Sequence, residues 1–253
     1  PRGRVAPHGA WFRPRIKVCH DGVNPRQARP LQGGEPLCLP VPADEACGIK
    51  TGEVVLRPGE EIVSFVNRNL EPYRGYHVFM RALPELLRRR PKAQVVIVGG
   101  NGVSYGAPPA QGTWKQQFLD EVREGLDLSR VHFVGNIPYP AFLRLLQITT
   151  VHTYLTYPFV LSWSLIEAMA SEGAIVASDT EPVREVIIDG ETGRLVDFFD
   201  RTALVERICE LLEDPTQRAR LGARARELAV TRYDLRSVCL PAQLAYIQRV
   251  ATA

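Results

Sequence analysis

The chain has 253 residues, of which 45% are hydrophobic and 23% charged, and its formal net charge is +3. This composition is typical of a globular protein with one large or two small domains, and it excludes disordered, fibrous and coiled-coil proteins. The small charge argues against a nucleic-acid partner. The sequence has no run of about 18 apolar residues and opens without Met or an apolar signal core. We therefore expect a cytoplasmic protein and a piece of a longer chain.

Cysteine and histidine patterns indicate no metal site. The five cysteines are irregularly spaced, with no CxxC pair and no Cys/His cluster of the kind that binds zinc. Reduced thiols of a cytosolic protein are the simplest interpretation. The five histidines are also scattered, and His132 and His152 fall on predicted strands, where we expect them in the core or in a pocket wall. We expect neither a metal nor another cofactor.

Proline dominates the first part of the chain. Eight of the 20 prolines lie within the first 42 residues, a density that disfavours helices and central strands. We therefore predict that residues 1–58 form a proline-rich linker and the remnant of a preceding domain. One short apolar run, residues 16–19, predicts a strand that ends in the turn of His20, Asp21 and Gly22.

From residue 59 onward, short apolar runs alternate with helical patterns. Strands are predicted at residues 61–67, 94–99, 131–134, 150–155, 174–178 and 193–196. Helices are predicted at residues 76–90, 114–126, about 139–147, from Ser162 or Trp163 to 171, at 182–187, and in three stretches from 201 to about 250. The alternation indicates an α/β fold with a Rossmann-like, doubly wound parallel sheet over residues 59–235, followed by a C-terminal helix over 236–253. Pro84 should kink or restart the first of these helices.

Two arginines six residues apart follow the first predicted strand. Ligands of doubly wound sheets bind outside the carboxyl ends of the strands, where residues 67–75 are expected. Arg68 and Arg74 could converge on one anion, because guanidinium groups suit phosphate oxygens, and Gly75 would let the backbone approach closely. The alternative is a solvated loop with a surface ion pair to Glu71.

A glycine-rich stretch, residues 99–106, follows the second predicted strand. A dinucleotide-binding loop needs the pattern GxGxxG opening directly into a helix. Here the interval from Gly102 to Gly106 is too long and two prolines follow. A flexible turn is therefore favoured over NAD binding, and a nicotinamide-dependent oxidoreductase is the weaker alternative.

The segment after the fourth predicted strand combines a loop with a helix start. Ser162 is a suitable N-cap, and the amides that follow it could bind an anion at the positive end of the helix. Glu167 lies early in this helix, near enough to bind ribose hydroxyls, although an acidic residue there also stabilises the helix through its dipole. Together with the two arginines, these features fit a nucleoside diphosphate.

The stretch SLIEAMASEGAIVASDTEPVREVIIDGETGRLVDFFD closely resembles the C-terminal half of glycosyltransferase family 4, the retaining GT-B enzymes. The resemblance extends from about residue 62 to 233 and includes VHFVGNIP. The earlier IKVCHDGVN is similar to the segment that joins the two domains of that family. A GT-B enzyme has two Rossmann-like domains, so the resemblance implies that this chain supplies the donor domain and that an acceptor-binding domain precedes it.

The resemblance also implies roles for individual residues. Arg68 and Arg74 would hold the donor diphosphate, and Glu167 would bind the ribose. We also assign these three residues to catalysis. The base would be bordered by Gly135, Asn136 and Ile137. Further donor-binding residues are predicted to be Asn67, Gly75, Gly100, Phe159, Ser162, Ser164 and Leu165.

Phe159 stands eight residues before Glu167, where the family has the first Glu of its Glu-x7-Glu motif. Our prediction is a metal-free glycosyltransferase that moves a sugar from a nucleotide-diphosphate donor with retention, the isolated chain being inactive. The alternative is a degenerate nucleotide-sugar-binding or interaction module. The sequence predicts neither the oligomeric state nor the acceptor. An acceptor at a membrane surface is one alternative.

Overall fold

The computed structural model describes residues 18–157 and 161–251. Within them a six-stranded parallel sheet forms the centre of the molecule. Its strands are β3 (Ile62–Asn69), β4 (Gln94–Gly100), β5 (Val131–Gly135), β6 (Val151–Tyr154), β7 (Ile175–Ser178) and β8 (Arg194–Val196). Their order across the sheet is β5-β4-β3-β6-β7-β8. The predicted α/β fold with a doubly wound parallel sheet is confirmed, and the strand positions agree within two residues.

The helices also follow the predicted order. They are α1 (Tyr76–Arg89), α2 (Trp114–Val122), α3 (Tyr139–Ile148), α4 (Trp163–Ala170), α5 (Glu181–Arg184), α6 (Arg201–Glu213), α7 (Pro215–Tyr233) and α8 (Leu240–Ala251). Of the two outcomes expected at Pro84, a kink or a restart, the restart is wrong, because α1 runs through this residue as one helix. A proline removes one backbone hydrogen bond from a helix, and here the buried face on both sides of Pro84 keeps α1 in place.

Helices cover both faces of the sheet. On one face, α1, α2 and α6 bury the side chains of Phe65, Val95, Ile97 and Phe133. On the other face, α4 and α7 pack against β6 and β7, and α3 packs beside them. Burial of apolar surface on both sides explains why the strands read as continuous hydrophobic runs.

The proline-rich region predicted as a linker and domain remnant contains two strands that the sequence analysis did not predict. Strands β1 (Leu37–Val41) and β2 (Gly52–Leu56) form an antiparallel hairpin, and Leu37, Leu39, Val54 and Leu56 join the core on the α3 face of the sheet. β1 has β2 as its only strand partner in the described chain. One side of an edge strand needs no ladder hydrogen bonds, so β1 tolerates Pro40. The division into domains at residues 58 and 235 stays a prediction.

The segment before the hairpin is attached to the end of α7. Val23 exchanges backbone hydrogen bonds with Tyr233 and Leu235 at 2.7 and 2.8 Å. Of the predicted strand at residues 16–19, the first two lie outside the described residues, and Val18 and Cys19 adopt no regular structure. No helix in the described ranges is long and apolar enough to cross a membrane.

Candidate functional site

The strand order reverses between β3 and β6. The chain adds β4 and β5 on one side of β3 and then returns to add β6, β7 and β8 on its other side. Loops that leave neighbouring strands in opposite directions at such a switch point open a crevice, which is where open α/β sheets bind ligands. The two loops concerned are those with the predicted arginines and with Ser162.

The two arginines lie at this switch point in different surroundings. Arg68 belongs to the end of β3, which is two residues longer than predicted, and it is exposed. Arg74 is half-buried, donates from Nη1 to Thr156 Oγ1 at 3.3 Å, and lies 5.2 Å from the centre of the Tyr105 ring. The side-chain amide of Asn67 lies 3.5 Å from the carbonyl oxygen of Arg74. Arg74 therefore joins the loops after β3, β4 and β6, whereas Arg68 presents its charge to solvent.

Gly75 is required by a close approach within the protein. Its φ is +72°, and a Cβ atom there would lie 2.3 Å from Cβ of Leu155. We expected close approach of the backbone to a ligand, but the neighbour observed is the residue that follows β6. Beside this contact, the Tyr157 N–H donates to the Tyr73 carbonyl at 2.9 Å. The loops after β3 and β6 are therefore packed against each other.

Glu71 connects the arginine loop to the glycine-rich loop. Its side chain is buried, and Oε2 accepts hydrogen bonds from the backbone N–H groups of Ser104 and Tyr105 at 2.8 and 2.9 Å. Asn69 Nδ2 adds a hydrogen bond to Ser104 Oγ at 2.7 Å. The alternative of a surface ion pair to Glu71 is therefore wrong. Sequence reasoning missed this role because an acidic residue between two arginines looks like their partner.

The glycine-rich loop does not have the form of a dinucleotide-binding loop. Helix α2 starts only at Trp114, after the N-cap Thr113, so the glycines do not lead directly into a helix. A Cβ atom on Gly100 would lie 3.0 Å from Asn69 Oδ1 and 3.1 Å from Asn136 Nδ2. The ends of β3, β4 and β5 therefore meet at Gly100, and the structural requirement for nicotinamide binding by this loop is not met.

Helix α4 begins where the sequence predicted. Ser162 is its N-cap and accepts a hydrogen bond from the Ser164 N–H, while its own N–H donates to the Tyr154 hydroxyl. The Ser164 amide is therefore already used by the cap, and the Leu165 side chain is buried in the core, so only the backbone of Leu165 could meet a ligand. Phe159 lies outside the described residues.

Glu167 has a partner that the sequence analysis did not identify. Tyr139 Oη, at the start of α3, donates to Glu167 Oε1 at 2.7 Å. Burial raises the pKa of Glu167, and the Tyr139 hydroxyl opposes that rise. The signal available in the sequence was the position of Tyr139, two residues beyond the predicted base-binding Ile137. The half-buried carboxylate faces this end of α3, so Glu167 and the segment after β5 are brought together.

The predicted base-binding segment forms the end of β5. Gly135 has a φ of +63°, Asn136 is exposed, and Ile137 is half-buried against the core on the α3 face. The position of a Cβ atom on Gly135 lies 3.5 Å from Pro42 Cγ. The β1–β2 hairpin therefore reaches this segment.

Of the two histidines on the sheet, His152 lies in the core, as predicted, and His132 is half-buried on the edge strand β5. His152 is fully buried, its Nδ1 lies 2.9 Å from Ser64 Oγ, and burial lowers its pKa to about 4. His132 Nε2 lies 2.7 Å from Gln94 Oε1. No group of three or more His, Cys, Asp or Glu side chains within residues 18–157 and 161–251 could hold a metal ion.

Comparison with known proteins shows extended similarity to sugar-transferring enzymes. The chain is 32% identical over 187 residues to a D-inositol 3-phosphate glycosyltransferase of Nocardia farcinica, covering 73% of this chain and 39% of that protein. It is 33% identical over 178 residues to a phosphatidyl-myo-inositol mannosyltransferase of Mycolicibacterium smegmatis, covering 68% and 41%. The chain thus spans about two fifths of the length of these curated relatives.

A solved structure shows the same fold. An Anabaena protein, HepE, crystallised in complex with UDP-glucose, superposes with a TM-score of 0.66 at 16% sequence identity, over 94% of this chain and 57% of the Anabaena chain. The architecture resembles that of GT-B glycosyltransferase domains. The family described as glycosyl transferases group 1 matches residues 51–228. Because this match covers more than half of the chain, the protein belongs to the group 1 glycosyl transferases.

Proposed function

We propose that this chain forms the donor site of a retaining glycosyltransferase that takes a sugar from a nucleoside-diphosphate donor. The observation that carries the proposal is the junction at the switch point, where Arg74 donates to Thr156 across two loops and the exposed Arg68 lies at the end of β3. The Anabaena structure with UDP-glucose supports the ligand class. A group 1 glycosyl transferase domain with this junction is suited to bind a diphosphate.

The chemistry follows from charge. Negative charge grows on the leaving diphosphate as the bond to the sugar breaks, and guanidinium groups that are already in place stabilise it. In this proposal Arg68 and Arg74 supply that stabilisation without a metal ion. The half-buried Glu167, positioned by Tyr139, binds the ribose hydroxyls, and the end of β5 borders the base. Asn67, Gly75, Gly100, Ser162, Ser164 and the Leu165 backbone line or shape the same site, with Phe159 assigned to it from sequence alone.

We further propose that the acceptor is bound by a second domain. The curated relatives are more than twice as long as the part that this chain matches. Helix α8 also presents exposed apolar residues, Leu240, Leu244, Ile247 and Val250, which are suited to packing against such a domain. A relative named as a phosphatidyl-myo-inositol mannosyltransferase makes a membrane-surface acceptor a reasonable substrate class for a cytoplasmic enzyme.

Titration calorimetry with UDP, GDP, ADP and CDP tests the donor site. We expect the 253-residue chain to bind at least one of them and, with the matching nucleotide sugar, to transfer little or no sugar. Binding of none of the four would overturn the donor-site proposal. Rapid transfer to simple acceptors would overturn the need for a second domain.

A second candidate is a binding module that has lost its chemistry. It is favoured by Phe159, which stands where a glutamate precedes Glu167 by eight residues in family 4. Turnover by a chain that contains both domains would eliminate this candidate. If Phe159 alone has abolished the chemistry, Phe159→Glu in that two-domain chain should raise the rate of sugar transfer.

A further inference from the structure

The loop that joins β1 to β2, residues 42–51, is a structured element that we call the hairpin turn. Asp44 caps a short 3₁₀ helix, Glu45–Cys47, by accepting the Cys47 N–H, and Gly48 ends that helix with a φ of +62°. Two backbone hydrogen bonds between Asp44 and Ile49, both 2.9 Å long, close the turn. The hairpin turn therefore has a defined shape of its own.

A buried ion pair attaches the hairpin turn to α2. Lys115 Nζ lies 2.7 Å from Asp44 Oδ2, and the two side chains are only 7% and 15% exposed. The ammonium group also lies 4.9 Å from the centre of the Phe133 ring on β5. A buried ion pair contributes little net stability because both charges lose water, but it requires one geometry. The Asp44–Lys115 pair therefore fixes the position of the hairpin turn more than it stabilises the fold.

The hairpin turn lies beside the proposed base-binding segment. The Cβ position of Gly135 is 3.5 Å from Pro42 Cγ, and Asn101 Nδ2 lies 3.4 Å from Asp44 Oδ2. Pro42 and the following Ala43 are exposed. The hairpin turn therefore contacts residues at the ends of β4 and β5.

The position of β5 explains why such a neighbour is needed. β5 is the last strand on its side of the sheet. A planar base lying at the end of an edge strand would be open to water on its outer side unless another element covered it. The strands of the hairpin pack on the α3 face, and its turn reaches α2 on the opposite face. The hairpin turn therefore passes around the end of β5.

We propose that the hairpin turn is the outer wall of the nucleobase subsite, and that the Asp44–Lys115 pair positions it so that the site discriminates between nucleobases. Pro42 supplies the apolar surface next to Gly135, and the exposed Ala43 follows it in the chain. The proposal rests on the proposed donor function and adds to it an element outside the predicted donor-binding residues. Asp44 and Lys115 are positioning residues, because they act through the hairpin turn.

The test compares the wild-type chain with the double variant Asp44→Asn/Lys115→Met, which removes both charges at similar volume. Calorimetry measures the dissociation constants of UDP, GDP, ADP and CDP, with inorganic pyrophosphate as a ligand that has no base. We expect affinity for the preferred nucleoside diphosphate to fall about tenfold, as when a pocket loses a wall. The ratio between preferred and disfavoured bases should fall with it, and pyrophosphate affinity should stay within about twofold.

Two further variants keep the result interpretable. Pro42→Gly changes the exposed wall and leaves the ion pair intact, so it should lower base discrimination without loss of folding. The control is Arg90→Met/Glu61→Gln at the opposite end of the sheet, which removes an ion pair of 2.6 Å with 18% and 23% exposure and also the contact of Arg90 with the exposed Glu213. The control should not change the ratio between bases.

The failures of the two proposals are distinguishable. If the wild-type chain binds no nucleoside diphosphate, the donor function fails and the wall fails with it. If the variants keep wild-type affinity and base preference, the wall alone is overturned. A parallel loss of pyrophosphate and nucleotide affinity would also overturn it, because the ion pair would then act on the whole site.

Discussion

At the scale of single residues, Arg68 and Arg74 differ in exposure and in their contacts with the rest of the protein. Arg74 is hydrogen-bonded to Thr156 and contacts the Tyr105 ring, so its replacement would disturb both folding and binding. Arg68 is exposed at the end of β3, and its replacement should affect only an anionic ligand. The exposed Arg68 is therefore the better residue for testing the proposed binding of a charged ligand, whereas Arg74 also holds the loops together.

We predict that Arg68→Gln weakens binding of the preferred nucleoside diphosphate about tenfold or more. A lost charged hydrogen bond costs about 1.5–3 kcal/mol, and calorimetry would measure the change. The melting temperature should be unchanged. Arg57→Gln is the control, since Arg57 lies at the opposite end of the sheet in an exposed ion pair with Glu60. If both variants bind the nucleoside diphosphate with equal affinity, Arg68 is a surface residue that does not contact the ligand.

Gly75 offers a test of packing at the switch point. Gly75→Ala adds a methyl group 2.3 Å from Leu155 Cβ, at a φ of +72°. Left-handed backbone costs an alanine about 1–2 kcal/mol, and overpacking adds about 1–3 kcal/mol. Gly59→Ala has a similar φ of +91° but nothing within 4 Å, so it isolates the backbone cost. Urea unfolding should show a clearly larger loss for Gly75→Ala, and equal losses would contradict the packing assignment.

At the scale of elements, the glycine-rich loop is ordered by a side chain from a neighbouring loop. Its glycines allow many conformations, and a buried carboxylate selects one by accepting two backbone N–H groups. Such an arrangement holds a loop at the carboxyl ends of the strands without a helix directly behind it. Glu71 therefore acts on the loop after β4 while belonging to the loop after β3.

We predict that Glu71→Leu releases this loop. The N–H groups of the half-buried Ser104 and Tyr105 would lose their acceptor, at a cost below the about 1–3 kcal/mol of a fully buried unpaired group. Hydrogen exchange at these two amides should accelerate, while exchange in the middle of α1 changes only with global stability. Glu71→Gln keeps an acceptor oxygen and should give an intermediate effect. Unchanged protection in Glu71→Leu would show that other contacts order the loop.

At the scale of the whole molecule, buried histidines link stability to pH. Burial lowers the pKa of His152 to about 4, and burial followed by the nearby Arg81 charge lowers that of His77 to about 4. The unfolded chain binds these protons near pH 6.5, whereas the folded chain binds them only near pH 4. The stability contributed by each neutral histidine is therefore complete above pH 6.5 and is lost as the pH falls towards 4.

We predict a free energy of unfolding that decreases between pH 6.5 and 4, with His152 contributing a slope of at most about 1.4 kcal/mol per pH unit. His152→Asn should be less stable at pH 7, because the packing around Ser64 changes, but its stability should fall less steeply on acidification. Urea unfolding at several pH values measures both slopes. Equal slopes for the wild type and the variant would mean that folding does not lower the pKa of His152.

Much of the fold could be predicted from the sequence because its signals are local. The alternation of apolar strands with helical patterns predicted all six strands of the sheet and their order along the chain, and Ser162 was recognised as an N-cap from its residue type and position. The hairpin in the proline-rich region was missed, since Pro40 disfavours a strand unless that strand lies at an edge. An edge is a property of the assembled sheet.

The class of fold, the six strands of the parallel sheet and most helices could be read from the amino-acid sequence, as could the loops that carry arginine, glycine and carboxylate groups. Which of these groups contact one another became known from the folded chain. Glu71 accepts hydrogen bonds from the glycine-rich loop and is not the ion-pair partner of an arginine. Tyr139 donates to Glu167, and the hairpin turn lies at the end of β5. The physical reason is that such contacts depend on the order of strands in the sheet. Local periodicity does not encode that order, because each strand can pair with any other.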